Sequence, residues 1–449
     1  MTKDRKFYRE FFSLCLILML QNVIVIAVNL ADNIMLGSYS EAALSGAAAV
    51  NHIQFIYQQL LTAAGEGVVI LGSQYLGRGQ SEPVKRVTAT ALKTGLLVGI
   101  LLTAAATLVP VQLIGLFTEN RSIVAQGVEY LKVIRFTYLF FCITVILEAA
   151  LRCAGMVKIS LYLSVMTFFV NCGINYILIY GKFGMPQMGI TGAAIGTLTA
   201  RILECMIIML YAADRKHSVT FRLKELWTED ARLRKDYLHH TVFMMITHGL
   251  WGLNTSVQTM VLGHLSDSAI AANSISSTLY TLMKSASVGA ASSAAVITGK
   301  AVGAEDYGRA KNNAYTMQIL FISIGAVMAA VLFFVRIPVL SLYSLSDETR
   351  TMANTFLMLQ CLFYLGMSYQ MPVNNGIIRS GGSPQFVVKL DLICIWCIAM
   401  PLSLIMAFVV KASPVVVFCC LSSDQIFKCV PVWIKVNRGK WIRNLTRPA

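Results

Sequence analysis

The chain has 449 residues, 56% of them hydrophobic and only 13% charged, with a mean hydropathy of +0.66. Those proportions exclude an ordinary soluble domain and describe a chain dominated by membrane-spanning segments. A formal net charge of +15 suggests nucleic acid, but the placement of the charges along the chain argues against such a partner.

A span needs about 20 apolar residues. Twelve such runs are predicted, near 11–36, 43–71, 87–114, 128–150, 161–181, 189–213, 238–262, 269–297, 314–336, 352–377, 385–410 and 413–436. Lys and Arg gather at the N-terminus and in every second loop, around 78–86, 152–158, 215–235, 300–311 and 379–389, and again in the tail at 435–447. The intervening loops hold little beyond Arg121, Lys182, Arg350 and Lys411. This alternation is the positive-inside pattern, so an integral, multi-pass protein of the cell membrane with both termini cytoplasmic is expected. The first run is too long for a signal peptide and lacks a small-residue cleavage site, so it reads as a retained span. The eleven cysteines fall almost entirely within spans and imply no disulfide framework. Cys394-Ile395-Trp396-Cys397 has redox spacing without a redox context and reads as packing.

The first run ends Asp32-Asn33-Ile34-Met35-Leu36-Gly37. A carboxylate inside a span costs about 2.5–3.5 kcal/mol on insertion scales and usually faces a protein-lined cavity. The bland alternative is that Asp32 reaches headgroup water at the helix end. The second run is unusually polar, with Asn51, Gln54, Gln58, Gln59 and Glu66. Asn51, Gln54 and Gln58 share one helical face, which suits either a watery cavity or hydrogen bonds between helices.

Short segments recur at a fixed distance. Ile34-Met35-Leu36-Gly37 returns as Met260-Val261-Leu262-Gly263, and Gly77 as Gly303, each 226 residues on. Leu151-Arg152-Cys153-Ala154-Gly155 returns as Ile378-Arg379-Ser380-Gly381-Gly382, 227 residues on. The chain is therefore a duplication of a six-span unit. Six is even, so both halves enter from the same side, related by a pseudo-twofold axis along the membrane normal. The fold class is all-α and polytopic: twelve transmembrane helices in two six-helix lobes, 1–213 and 238–449, joined by a charged cytoplasmic linker, 214–237. Leu226 and Trp227 make a short surface helix in that linker one reading and a solvated connector the other.

Further along, the fifth run carries Asn171 and Asn175, four apart on one face, and the sixth holds small residues with Thr197. Glu148 stands one turn before Arg152, and Arg201 is spaced to pair with Glu204. His248 reads as a core histidine or a proton relay, and Asp391 as an interfacial structural acid. Lys284 is a further cation inside a run.

Taken in order, several of these segments resemble the MATE (multidrug and toxic compound extrusion) transporters of the MOP flippase superfamily. They are Asp32 through Gly37, Ser73-Gln74-Tyr75-Leu76-Gly77, Leu178-Ile179-Tyr180-Gly181, Gly189-Ile190-Thr191-Gly192-Ala193-Ala194 and Gly376 through Gly382. The resemblance covers nearly the whole chain. It implies two bundles around a V-shaped cavity, alternating access, and export of organic, often cationic, small molecules against H⁺ or Na⁺, usually by a monomer. One branch of that family binds its coupling ion through an acid in the first span, an Asn and an Asp in the fifth and a Thr in the sixth. Asp32, Asn171 and Thr197 match three of these; the fourth position is Asn175, which removes a charge. Another branch places acids in the seventh and tenth spans, where this chain has His248 and Ser368.

A single buried carboxylate suits a proton carrier, although neutral oxygens from Asn171, Asn175 and Thr197 also suit Na⁺ at Asp32; no other metal and no cofactor is expected. The expected cavity lining is Gln54, Gln58, Gln59, Glu66, His248, Asn254 and Tyr280. The alternative function is a lipid-linked oligosaccharide flippase, which the scarcity of cationic residues for a pyrophosphate disfavours. Membrane lipids are the only other expected partners. An enzyme is not expected, since no phosphate-cradling loop or nucleophile–base set is present; Gly77-Arg78-Gly79 is too short for one.

Overall fold

The computed structural model describes residues 2–118, 120–214, 220–221, 223–227, 230–341 and 345–446. Arg215, Lys216 and Arg447 of the basic segments lie outside these, as does part of the 214–237 linker. Twelve helical passages run through the described residues. They are α1 Arg5–Tyr39, α2 Glu41–Gly77, α3 Glu82–Leu108, α4 Arg121–Ile134 with Thr137–Cys153, α5 Lys158–Tyr180 and α6 Ile190–Ala213, then α7 Ala231–Gly263, α8 Asp267–Gly303, α9 Tyr307–Leu340, α10 Asp347–Pro372, α11 Pro384–Val409 and α12 Pro414–Asn437. At 1.5 Å per residue each is long enough to cross a bilayer. The more polar α2, α7, α8 and α10 do so with less apolar sequence than the other eight. All eleven cysteines are free.

Two expected spans differ in detail. The run 87–114 is broken at Val109 (φ −133°, ψ 49°), and a separate short helix, Pro110–Gly115, follows. Pro110 disfavours the helical region for the residue before it. The run 128–150 starts earlier, at Arg121, and bends by 55° between Ile134 and Thr137. The carbonyls freed at the bend are taken up by hydroxyls: Thr137 Oγ1 donates to Ile134 O (2.6 Å) and Thr103 Oγ1 to Arg135 O (3.2 Å). Side chains inserted in this way make a bend in lipid tolerable. In the linker, Leu223–Trp227 is a single 3₁₀ turn with Trp227 exposed and Glu225 paired with Lys85 at 3.5 Å. Asp230 then caps α7, accepting from the backbone N–H of Arg232 (2.9 Å) and Leu233 (3.3 Å). Those donors hold its carboxyl below the usual range.

The chain packs as two compact units. Unit 1 comprises Met1–Met19, Ser73–Gly79 and Ile246–Ala449; unit 2 comprises Leu20–Gly72 and Gln80–Met245. In unit 1 the start of α1 lies on α8, where a side chain at Gly289 would meet Cys15 O at 2.5 Å. In unit 2 the start of α7 lies on α2 in the same way: Thr241 fills the space above Gly67, and Tyr237 Oη donates to Ala64 O at 3.0 Å.

The duplication is visible in the backbone. Left-handed residues occur in pairs 226 or 227 apart: Gly79 with Glu305, Gly155 with Gly382, and Gly184 with Lys411. Within unit 1 the ends of α2 and α8 cross with no room for side chains. A Cβ at Gly77 would collide with the carbonyl of Lys300, one at Gly303 with the carbonyl of Gln74, and one at Gly299 with Ser73 Oγ. Residues 73 and 299 are repeat equivalents, as are 74 and 300, and 77 and 303, so the contact is reciprocal about a twofold between Ser73 and Gly299. Gly303→Val is expected to destabilise the protein by about 1–3 kcal/mol, because backbone cannot move aside as a side chain can. Gly249→Ala, with open space at the Cβ, is the control and is expected to be neutral or slightly stabilising. Thermal unfolding in detergent reads both; equal midpoints would contradict the close crossing.

Candidate functional site

The Asp32 cluster lies in unit 2 and is assembled from α1, α5 and α6. The far ends of α1 and α5 are tied by Tyr180, whose hydroxyl donates to Met35 O at 3.0 Å and meets Ser38 Oγ at 2.5 Å. One turn back along α1, the half-buried Asp32 accepts from Asn175 Nδ2 through Oδ1 at 2.6 Å. Asn175 Nδ2 is shared with Asn171 Oδ1 (3.2 Å), and Asn171 Nδ2 donates to Thr197 Oγ1 (3.1 Å). The i, i+4 spacing of the two asparagines is what aligns their amides. Both are buried, Asn175 fully, and Asn175 Oδ1 has no hydrogen-bond partner among the described residues. It occupies the space that a Cβ on Gly196 would take, so the small residues of α6 let the amide sit there. Buried Tyr130 stands beside Thr197 and within electrostatic reach of Asp32. The four coupling residues expected from the sequence are thus in one hydrogen-bonded chain.

The seven expected cavity residues are divided between the units. Gln54, Gln58, Gln59 and Glu66 are partly buried on α2 in unit 2. In unit 1, His248 is partly buried, Asn254 is buried and Tyr280 packs edge-on against Tyr364 (5.9 Å between centroids). Lys284 is placed over the Trp251 ring at 4.2 Å. Asn51, expected on the polar face with Gln54, is exposed.

Several other buried charges have partners among the described residues. Arg201 Nη1 donates to Glu204 Oε2 at 2.7 Å, as the spacing predicts. Both oxygens of Glu148 face the Gln21 amide at 3.4 Å, with Arg152 within electrostatic reach. Asp391 accepts from Lys428 Nζ at 2.7 Å, and the same nitrogen lies 3.0 Å from Asp424 Oδ2. Asp424 and Lys428 stand four residues apart inside the run 413–436, a spacing that marks them as a pair. The triad continues through Gln425 (2.9 Å to Asp424) to Gln370 and Asn374, each link 3.0 Å.

Comparison with known proteins sets this geometry in a family. The MatE family model matches residues 18–177 and again 242–405, once in each half of the chain. The chain belongs to the MatE family. Among MATE relatives, the probable multidrug resistance protein NorM of Thermotoga maritima is 32% identical over 201 residues, 44% of this chain and 43% of that protein. The probable multidrug resistance protein YoeA of Bacillus subtilis is 23% identical over 363 residues, 80% and 77% of the two chains. Solved MATE structures share the fold. An outward-facing multidrug resistance transporter of the MOP superfamily superimposes with a TM-score of 0.87 at 16% identity, covering 98% of this chain and 99% of that one. A MOP superfamily transporter from Pyrococcus furiosus, described with a binding pocket of reverse polarity that suggests a different function, gives 0.85 at 15% identity, covering 96% and 95%. The all-α, twelve-helix, two-lobe membrane fold expected from the sequence is the fold of these MATE transporters. The double match to the family model also supports the duplication.

Proposed function

We propose that this MATE protein is a secondary active exporter of organic, often cationic, small molecules, working as a monomer in the cell membrane with both termini cytoplasmic. Export is driven by inward movement of H⁺, with Na⁺ as the second candidate ion. Multidrug resistance is what its relatives NorM and YoeA are named for. The observation that carries the reading is Asp32, a carboxylate within an otherwise apolar run, held by the Asn175 amide at the end of a chain of contacts through Asn171 to Thr197. Asp32 Oδ1, Asn171 Oδ1 and Thr197 Oγ1 each already accept an amide N–H, an arrangement that suits a proton on the carboxyl better than a bare Na⁺, which needs those oxygens turned toward it. A lipid-linked oligosaccharide flippase needs free cations for a pyrophosphate. Here Lys284 is engaged by Trp251 and Arg201 by Glu204, which counts against that alternative.

The test is transport of a fluorescent cation in proteoliposomes under an imposed pH gradient or an imposed Na⁺ gradient. Transport driven by the pH gradient alone is the expected result. Transport driven by Na⁺ alone would require the amides of Asn171 and Asn175 to turn, and none under either gradient would overturn cation export.

A further inference from the structure

The polar interior of unit 2 does not end at Asp32. Along α5, Ser160, Ser164, Thr167, Asn171 and Asn175 recur at three- and four-residue spacing, and every one is buried. Fifteen helical rises from Ser160 to Asn175 carry this stripe about 22 Å, from the α4–α5 turn to the level of Asp32. Packed against α5 is α6, which carries Thr197, Arg201 and Glu204, and against α6 is α4, which carries Thr144 and Glu148, again one turn apart. Glu148 and Glu204 are 7% and 5% exposed. Arg201 joins the two ends: it is bonded to Glu204 and lies within electrostatic reach of Asp32 on one side and Glu148 on the other. Glu148 is met by Gln21 from α1, Ser160 from α5, Glu204 and Arg201 from α6, and Arg152 on its own helix.

Three buried atoms, two on this stripe and one on α4, have no hydrogen-bond partner among the described residues. They are Asn175 Oδ1, Thr167 Oγ1 and Thr144 Oγ1, in side chains 0%, 7% and 1% exposed. Buried polar atoms are almost always satisfied, and where protein supplies nothing, water does. Unpartnered hydroxyls at intervals between two carboxyl groups are sites for a file of water.

We propose that this stripe is a hydrated proton path from Asp32 to the α4–α5 turn, with Glu148 as the carboxylate that exchanges protons at its far end. The inference rests on the reading of Asp32 as a proton carrier. A proton leaving the Asp32 carboxyl passes along hydrogen-bonded water. Glu148 carboxylate accepts one from the last water and passes it on at the α4–α5 turn, which leaves Asp32 as the carboxylate until it is reloaded from the opposite side. The Arg201 guanidinium is paired with Glu204 at 2.7 Å, so it adds no net charge to the route.

The test is Glu148→Gln in proteoliposomes with two readouts: substrate-induced proton flux reported by a pH dye inside the vesicle, and substrate-for-substrate exchange without any ion gradient. Proton flux is expected to fall at least tenfold while exchange stays within twofold of the unaltered protein, and Glu148→Asp is expected to restore the flux. Unchanged flux, or flux and exchange falling together, overturns the path. Should the glutamine variant fail to fold, Thr167→Val removes one unpartnered hydroxyl at constant shape and is expected to lower the flux several-fold; unchanged flux there also overturns it. If the unaltered protein moves no protons at all, Asp32 is not a proton carrier and both readings fall, which separates that failure from a failure of the path alone.

Discussion

Asp32→Asn is expected to reduce gradient-driven export to background while leaving the protein folded and inserted. An asparagine side chain has the shape of the carboxylate, and its oxygen can still accept the 2.6 Å bond from Asn175 Nδ2. The chain of contacts on through Asn171 to Thr197 is therefore kept. What is lost is the capacity to gain and release a proton, or to balance the charge of a bound cation. Removing a lone carboxylate from an apolar helix also removes its insertion cost, so stability should be unchanged or slightly higher. Dye-cation transport and thermal unfolding in detergent, on the same preparation, separate the two effects. Unimpaired export by the variant would remove Asp32 from the coupling mechanism, and loss of the folded state would make its role structural.

The largest effect on stability is expected at Lys428. Its ammonium is buried between Asp391 and Asp424, at 2.7 and 3.0 Å, with its side chain 5% exposed. Lys428→Met leaves two carboxylates facing each other without a counter-charge. Breaking a buried pair in this way costs about 3–5 kcal/mol. Replacing all three charges, with Lys428→Met, Asp391→Asn and Asp424→Asn together, is expected to recover most of that loss, since a neutral set of similar volume is often no less stable than the ion pairs. A single variant as stable as the starting protein, or a triple variant no better than the single, would contradict the pairing.

Much of the fold was legible because the membrane leaves few choices. Backbone must be satisfied within each helix, so hydrophobic length alone marks a span, and eleven of the twelve expected runs, all but 87–114, fall within helical passages or overrun them by a few residues. The misplaced details are local. Val109 gives way because Pro110 constrains its neighbour, whereas the bend in α4 has no proline or glycine to announce it and depends on Thr103, a residue of another helix. The Asp32 cluster was legible through one intramembrane acid and two amides four residues apart. Spacing along one helix is readable; the orphaned Asn175 oxygen against Gly196, and the meeting of Asp391 with Lys428, are matters of how different helices face one another. Pattern along a chain does not contain that.

The crossing of α2 and α8 has a mechanical consequence. Ser73 meets its own equivalent, Gly299, and on either side stands one copy of the same backbone-to-glycine contact, Gly77 on Lys300 and Gly303 on Gln74. Neither copy can loosen by a side-chain rotation, because a main-chain carbonyl sits directly against each glycine. If these helix ends part, both contacts must break in the same movement. The crossing therefore behaves as a double fastening, and a side chain introduced on either glycine presses on the main chain of the opposite helix.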